Sequence, residues 1–129
     1  MDLVSVEQIS KQKFAFTVRG HTVLSDMSPE DGGNNEGPSP SELLVGAFGV
    51  CIGMAVARYC QTIKFDGDVS VYLTYQLADK PKRISNIVID LELPDGFPEN
   101  RISAIHKVIE ACPVHGTLNN PPQIDVEIG

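Results

Sequence analysis

The sequence predicts an α+β domain: antiparallel strands around one long, buried central helix, in the order β-β-β-α-β-β-α-β. Three observations predict it. Apolar and polar residues alternate before residue 25 and again between residues 69 and 93. An uncharged run from Leu43 to Ala57 lies between those segments, behind a helix-start signal. Ile102, Ile105, Ile109 and Cys112 then keep the three-four spacing of an amphipathic helix. A length of 129 residues fits a single domain over residues 1–129.

Each element has its own signal. Phe14, Phe16 and Val18 alternate with Ala15 and Thr17, and Arg19-Gly20 reads as a tight turn into His21 to Leu24. Asp26 to Ser39 is a glycine-rich loop, longer than most connections, and loops of that length are often functional. Ser39 as N-cap, Pro40 at the first helical position and Glu42 three residues after Ser39 form a capping box. The helix that follows runs to about Thr62 and is apolar all round, so it is expected to be buried on every side. Gly46, Gly49, Gly53 and Ala57 share one stripe of it, where small residues permit close packing. Val69, Val71, Leu73, Tyr75 and Leu77, then Ile87, Ile89, Leu91 and Leu93, form the buried face of a hairpin. The second helix starts near Pro98, and Pro113 interrupts it. Cys112 then reads as the N-cap of a short turn, Pro113-Val114-His115, closed by Gly116. Ile124, Val126 and Ile128 alternate as a last strand.

Composition excludes several classes. Seventeen acidic against ten basic residues, with no Lys or Arg cluster, argue against a nucleic-acid surface. The uncharged run is short of the ~20 residues that span a bilayer, which argues against a membrane protein. The first ten residues lack the basic start and apolar run of a signal peptide. These features place the protein in the cytoplasm, where thiols stay reduced.

Three cysteines do not make a disulfide scaffold. Cys60 lies nine residues after Cys51, about half a turn round, and reads as packing. Cys51 and Cys112 meet if the two helices pack together. Cys112 and His115 have ligand-like spacing, but no second pair completes a zinc site, so neither metal nor cofactor is expected. No dinucleotide fingerprint, P-loop or nucleophile-elbow motif occurs.

Two segments carry a family resemblance. Gly37 to Cys51, GPSPSELLVGAFGVC, and Cys112 to Leu118, CPVHGTL, resemble the OsmC/Ohr family of osmotically inducible and organic hydroperoxide resistance proteins. Gly20 to Asp26, GHTVLSD, fits its OsmC-like branch. The resemblance covers nearly the whole chain. It implies an intertwined homodimer and a cysteine-based peroxidase, with Cys51 peroxidatic and Cys112 resolving. It also implies an organic hydroperoxide substrate and an external dithiol reductant. In the hydroperoxide-resistance branch an N-terminal arginine and a glutamate near the start of the central helix support the thiolate. Arg19 is the only arginine before the helix, and Glu42 lies close to that glutamate's place. Each also has a plainer reading: Arg19 as a solvated turn residue, Glu42 as the capping-box partner. His115 either bears on Cys112 or is an exposed helix-end histidine. The alternative function is a non-catalytic redox-sensing or small-ligand-binding dimer on the same fold.

Overall fold

The structure, a computed structural model, describes residues 3–129. Its strands are β1 (Ser5–Ser10), β2 (Lys13–Val18), β3 (His21–Ser25), β4 (Ser70–Ala78) and β5 (Arg83–Glu92). Its helices are α1 (Pro40–Thr62), α2 (Ile102–Glu110) and α3 (Pro113–Asn119). The strands form an antiparallel sheet in the order β1-β2-β3 and an antiparallel pair β4-β5. The chain divides into two compact units, one up to Val45 and one from Gly46 on, and α1 runs through the division.

In the N-terminal unit, β2 and β3 are joined by Arg19 and Gly20, both at positive φ (51° and 80°). That pair of conformations matches the right-handed twist of the flanking strands. The loop after β3 is organised around Asp26, whose side chain is only 2 % exposed. Its carboxylate accepts the Met27 N–H at 2.8 Å and the Asn34 and Glu36 N–H groups at 3.2 Å each. Gly33 is required here, because a Cβ would collide with the Met27 carbonyl. Lys13 closes the loop from the sheet side, 2.7 Å from Glu36. The capping box forms as the sequence predicts: Ser39 N–H donates to Glu42 at 2.8 Å, and Glu42 N–H to Ser39 Oγ at 3.2 Å.

In the C-terminal unit, Phe48, Ile52, Val56 and Cys60 recur every fourth residue along one flank of α1. They pack with Ile105 of α2, with Cys112, and with Val71, Leu73, Ile89 and Leu91 of the hairpin. Gly49 admits the hairpin: a Cβ there would lie 2.5 Å from Leu73 Cδ1. Removal of the Ile52 or Val56 side chain from water, each 0 % exposed, stabilises by about 1.5–3 kcal/mol. By length and composition α1 would span a bilayer, but this packing marks it as a core helix.

Four expectations are corrected. The helix α1 is not covered on every side: Val50 and Met54 remain 56 % and 63 % exposed, because the hairpin and α2 cover only the opposite flank. Leu77 leaves the buried face of the hairpin, because the register shifts between Gln76 and Leu77 and turns it outward. Gly116 does not close a turn. The Gly116 N–H donates to the Cys112 carbonyl and its own carbonyl accepts from Asn120 N–H, so α3 runs through it to Asn119. Ile124, Val126 and Ile128 form no strand and are exposed. Alternation needs an open sheet edge to pair with, and Pro121 and Pro122 supply no N–H at the start of that segment.

Burial pushes the Asp26 carboxyl up, but the Met27, Glu36 and Asn34 N–H groups, with Lys13, outweigh it and hold its pKa below the ordinary value. A depressed pKa stabilises the fold above the unfolded-state value and ceases to do so as pH falls through the folded-state value. Asp26→Asn places an amide against donors and is expected to lower the melting temperature at neutral pH. The gap to the wild type should close as pH drops below about 4, which melts across a pH series will read.

Candidate active site: the cysteine pair

Cys51 sits on α1, one turn after Phe48, and is half-buried. Cys112 lies between α2 and α3 and is 2 % exposed. Pro113 puts it there. The Ile109 carbonyl in the last turn of α2 would ordinarily accept from the N–H of residue 113, and proline has none. The helix therefore stops, Cys112 takes an extended conformation (φ −60°, ψ 127°), and α3 starts with Pro113 in its first turn. Cys112 takes the expected N-cap position, of a helix longer than the expected turn, and its side chain makes no capping bond.

The two thiols meet. Both are free, Cys51 packs against the core cluster that holds Cys112, and the Cys112 thiol is near enough to act on that of Cys51. The Val114 N–H also acts on the Cys51 sulfur. Burial pushes the Cys51 thiol up; the Cys112 thiol pushes it further, and the Val114 N–H works the other way without reversing the balance. No cation of this unit is among the groups that act on it. Arg58, two turns along α1, is exposed. Cys60 is buried in the core and its thiol is raised by burial alone, in line with a packing role.

The other expected residues fall as follows. Arg19 occupies the β2–β3 turn of the N-terminal unit and is exposed. Glu42 is engaged in the capping box, and its bonds to the Ser39 backbone and hydroxyl hold its pKa below the ordinary value. His115 is half-buried. Its Nδ1 lies 3.1 Å from the Ile109 carbonyl, and its ring tilts against Phe48 at 5.4 Å between centroids. Sequence reasoning missed Phe48, the Val114 N–H and the Ile109 carbonyl as parts of the site. Pro113 was the signal for the last of these. Among the described residues, no group of three or more His, Cys, Asp or Glu is gathered as metal ligands.

Two thiols in contact across two helices can interconvert between dithiol and disulfide. Cys51, the more exposed, is the one a reagent can reach first.

Residues 32–127 match the family described as OsmC-like protein. The fold is shared with solved structures of low sequence identity. A protein of Psychrobacter arcticus named for osmotic-stress induction and a detoxification response superposes with a TM-score of 0.83 at 17% identity, over 91% of this chain and 88% of that one. An OsmC-like protein from Mycoplasma pneumoniae gives 0.78 at 17% identity, over 94% and 89%. An organic hydroperoxide resistance protein OsmC from Legionella pneumophila gives 0.66 at 19% identity, over 93% and 90%. No curated protein sequence matches the chain.

A raised thiol pKa has a kinetic consequence. Alkylation of Cys51 by iodoacetamide is expected to climb about tenfold per pH unit through neutrality and past the ordinary thiol value near 8.5. Mass spectrometry of the Cys51 peptide measures the rate. A plateau at or below neutral pH would show that a cation from outside this unit holds the thiolate.

Proposed function

The chain belongs to the OsmC-like protein family, and on that premise we propose that it is a thiol-dependent peroxidase of organic hydroperoxides. The observation that carries this reading is the contact between half-exposed Cys51 and buried Cys112. The likeness to solved proteins named for organic hydroperoxide resistance agrees with it.

The cycle needs thiols alone and no cofactor. The Cys51 thiolate attacks the terminal oxygen of the hydroperoxide. The O–O bond breaks, and the alkoxide leaves with a proton as an alcohol. Cys51 is now a sulfenic acid. Cys112 attacks that sulfur, the S–O bond breaks, and water leaves with the Cys112 proton. An external dithiol reduces the resulting disulfide by exchange. Val50 and Met54, exposed on the same helix within a turn of Cys51, offer an apolar approach. It suits an organic hydroperoxide better than hydrogen peroxide. Arg19 and Glu42 are proposed as supporting residues on the resemblance alone.

The same exposed residues support a homodimer. A soluble helix does not leave a Val–Met stripe to water without cost, and the exposed Ile124, Val126 and Ile128 add to the apolar surface a second copy would cover. Three cysteines that make no disulfide scaffold support the cytoplasm as the compartment.

One observation favours the second reading, a redox sensor that reacts without turning over. The groups of the C-terminal unit raise the Cys51 pKa rather than lower it.

Turnover separates the two. With an external dithiol present, the wild type is expected to consume cumene hydroperoxide catalytically, faster than hydrogen peroxide, and Cys51→Ser to lose that activity. A peptide map after brief oxidation should show a Cys51–Cys112 crosslink. Unchanged peroxide consumption by Cys51→Ser would sink the enzyme reading; a crosslink that forms once without turnover would favour the sensor. The dimer predicts a solution mass of twice the 14.0 kDa chain. A concentration-independent monomer in light scattering would contradict it.

A further inference from the structure

His115 has a partner that the proposed chemistry does not yet use. The Ile109 carbonyl loses its ordinary helical donor because residue 113 is proline. Two groups take over. The Cys112 N–H donates to it at 3.2 Å, and His115 Nδ1 lies 3.1 Å away. A carbonyl only accepts, so Nδ1 carries the proton and donates. The bond reaches from the first turn of α3 back to the last turn of α2, and Cys112 is the corner between them. The His115 ring also rests against Phe48 of α1, which lies one turn from Cys51. One side chain thus touches all three helices that carry or flank the two thiols.

We infer that His115 is the positioning residue of the resolving thiol: its Nδ1–H replaces the donor that Pro113 lacks and holds Cys112 against Cys51. The inference rests on the peroxidase reading only for the oxidant. The positioning itself acts on any route to the disulfide. In the proposed cycle the step affected is Cys51–SOH plus Cys112–SH giving the disulfide and water. No proton passes through the histidine. It fixes the corner, and the second cysteine captures the sulfenic acid before a second peroxide or another thiol reaches it.

Removing the donor leaves a helix-end carbonyl under-satisfied and the corner free to move. Loss of one hydrogen bond at this corner corresponds to roughly a tenfold loss in the equilibrium that depends on it. Two measurements on the full chain read this. In the first, reduced protein receives one equivalent of cumene hydroperoxide with dimedone present, and mass spectrometry gives the ratio of dimedone adduct on Cys51 to Cys51–Cys112 disulfide. In the second, no peroxide is used: the pair is equilibrated with reduced and oxidised glutathione, which gives its effective molarity.

His115→Phe keeps a ring beside Phe48 and removes the donor. It is expected to shift the first ratio about tenfold toward adduct and to lower the effective molarity about tenfold. His115→Asn, whose Nδ2 stands at the position of Nδ1, is expected to restore both. Should His115→Phe not fold, His115→Asn and His115→Asp form the comparison: side chains of near-equal size, one with a donor and one without. Wild-type effective molarity in His115→Phe, or in His115→Asp where that pair is used, overturns the inference. If the wild type gives neither adduct nor crosslink with the hydroperoxide while the glutathione equilibrium still depends on residue 115, the peroxidase reading fails and the positioning role stands.

Discussion

Proline carries no amide hydrogen, and the arrangement of the two thiols follows from that single absence at position 113. An α-helix that reached residue 113 with any other side chain could pass its hydrogen bond from Ile109 onward. Cys112 would then stay on the helical face it shares with Ile105 and Ile109. Instead α2 ends, Cys112 swings into an extended conformation, and its thiol is buried at a corner that faces α1. The same proline then starts α3, because its fixed φ suits a first helical turn. The break and the restart are one event, and they bring the Val114 N–H and the Cys112 thiol near enough to act on the same group, Cys51.

The long helix imposes the second constraint. Its composition gives it no polar side, so every flank left open exposes apolar surface. Within the C-terminal unit, the hairpin and α2 cover the line from Phe48 to Cys60. Small residues at Gly49 and Gly53 let the hairpin side chains Leu73 and Val71 come close. The opposite line, through Val50 and Met54, has nothing of this unit on it. Cys51 sits between the covered and the open lines. That position makes one thiol at once reachable from outside and in touch with a buried partner. A fully buried cysteine such as Cys60 has no access, and a fully exposed one would have no fixed partner.

Much of this was legible in the sequence because it rests on local rules. The capping box at Ser39, Pro40 and Glu42 forms with both reciprocal bonds. The hairpin follows from alternation, and the corner at Cys112 from a proline after an amphipathic run. What was not legible depends on non-local geometry. Asp26 reads as one more polar loop residue, yet it is a buried carboxylate around which the loop is wound. Its donors lie up to ten residues away, and no pattern announces them. Leu77 obeys the alternation and still faces out, because a one-residue register shift reverses every side chain beyond it. Ile124 to Ile128 alternate without a partner strand, since periodicity describes side chains and a strand needs an edge. His115 was visible as a residue near Cys112, but its partner, a carbonyl left open by a proline two residues earlier, became visible only in the fold.

The contact between the thiols has opposite effects on the two halves of the proposed cycle. For the first half, a neighbouring thiol in a buried setting is unfavourable: it discourages the thiolate, and with it attack on a peroxide. For the second half the same contact is favourable, because the partner is already in place when the sulfenic acid forms. Whether the trade benefits the protein depends on which hazard is larger. A sulfenic acid without a resolving partner proceeds to sulfinic acid, which ordinary dithiols do not reverse, whereas a slow first step costs only rate. An arrangement that accepts a raised thiol pKa in exchange for immediate capture therefore favours preservation of the cysteine over speed. It also locates where speed must be recovered: on the open side of Cys51, beside Val50 and Met54, where a cation brought by another surface would lower the thiol pKa without disturbing the corner that holds Cys112.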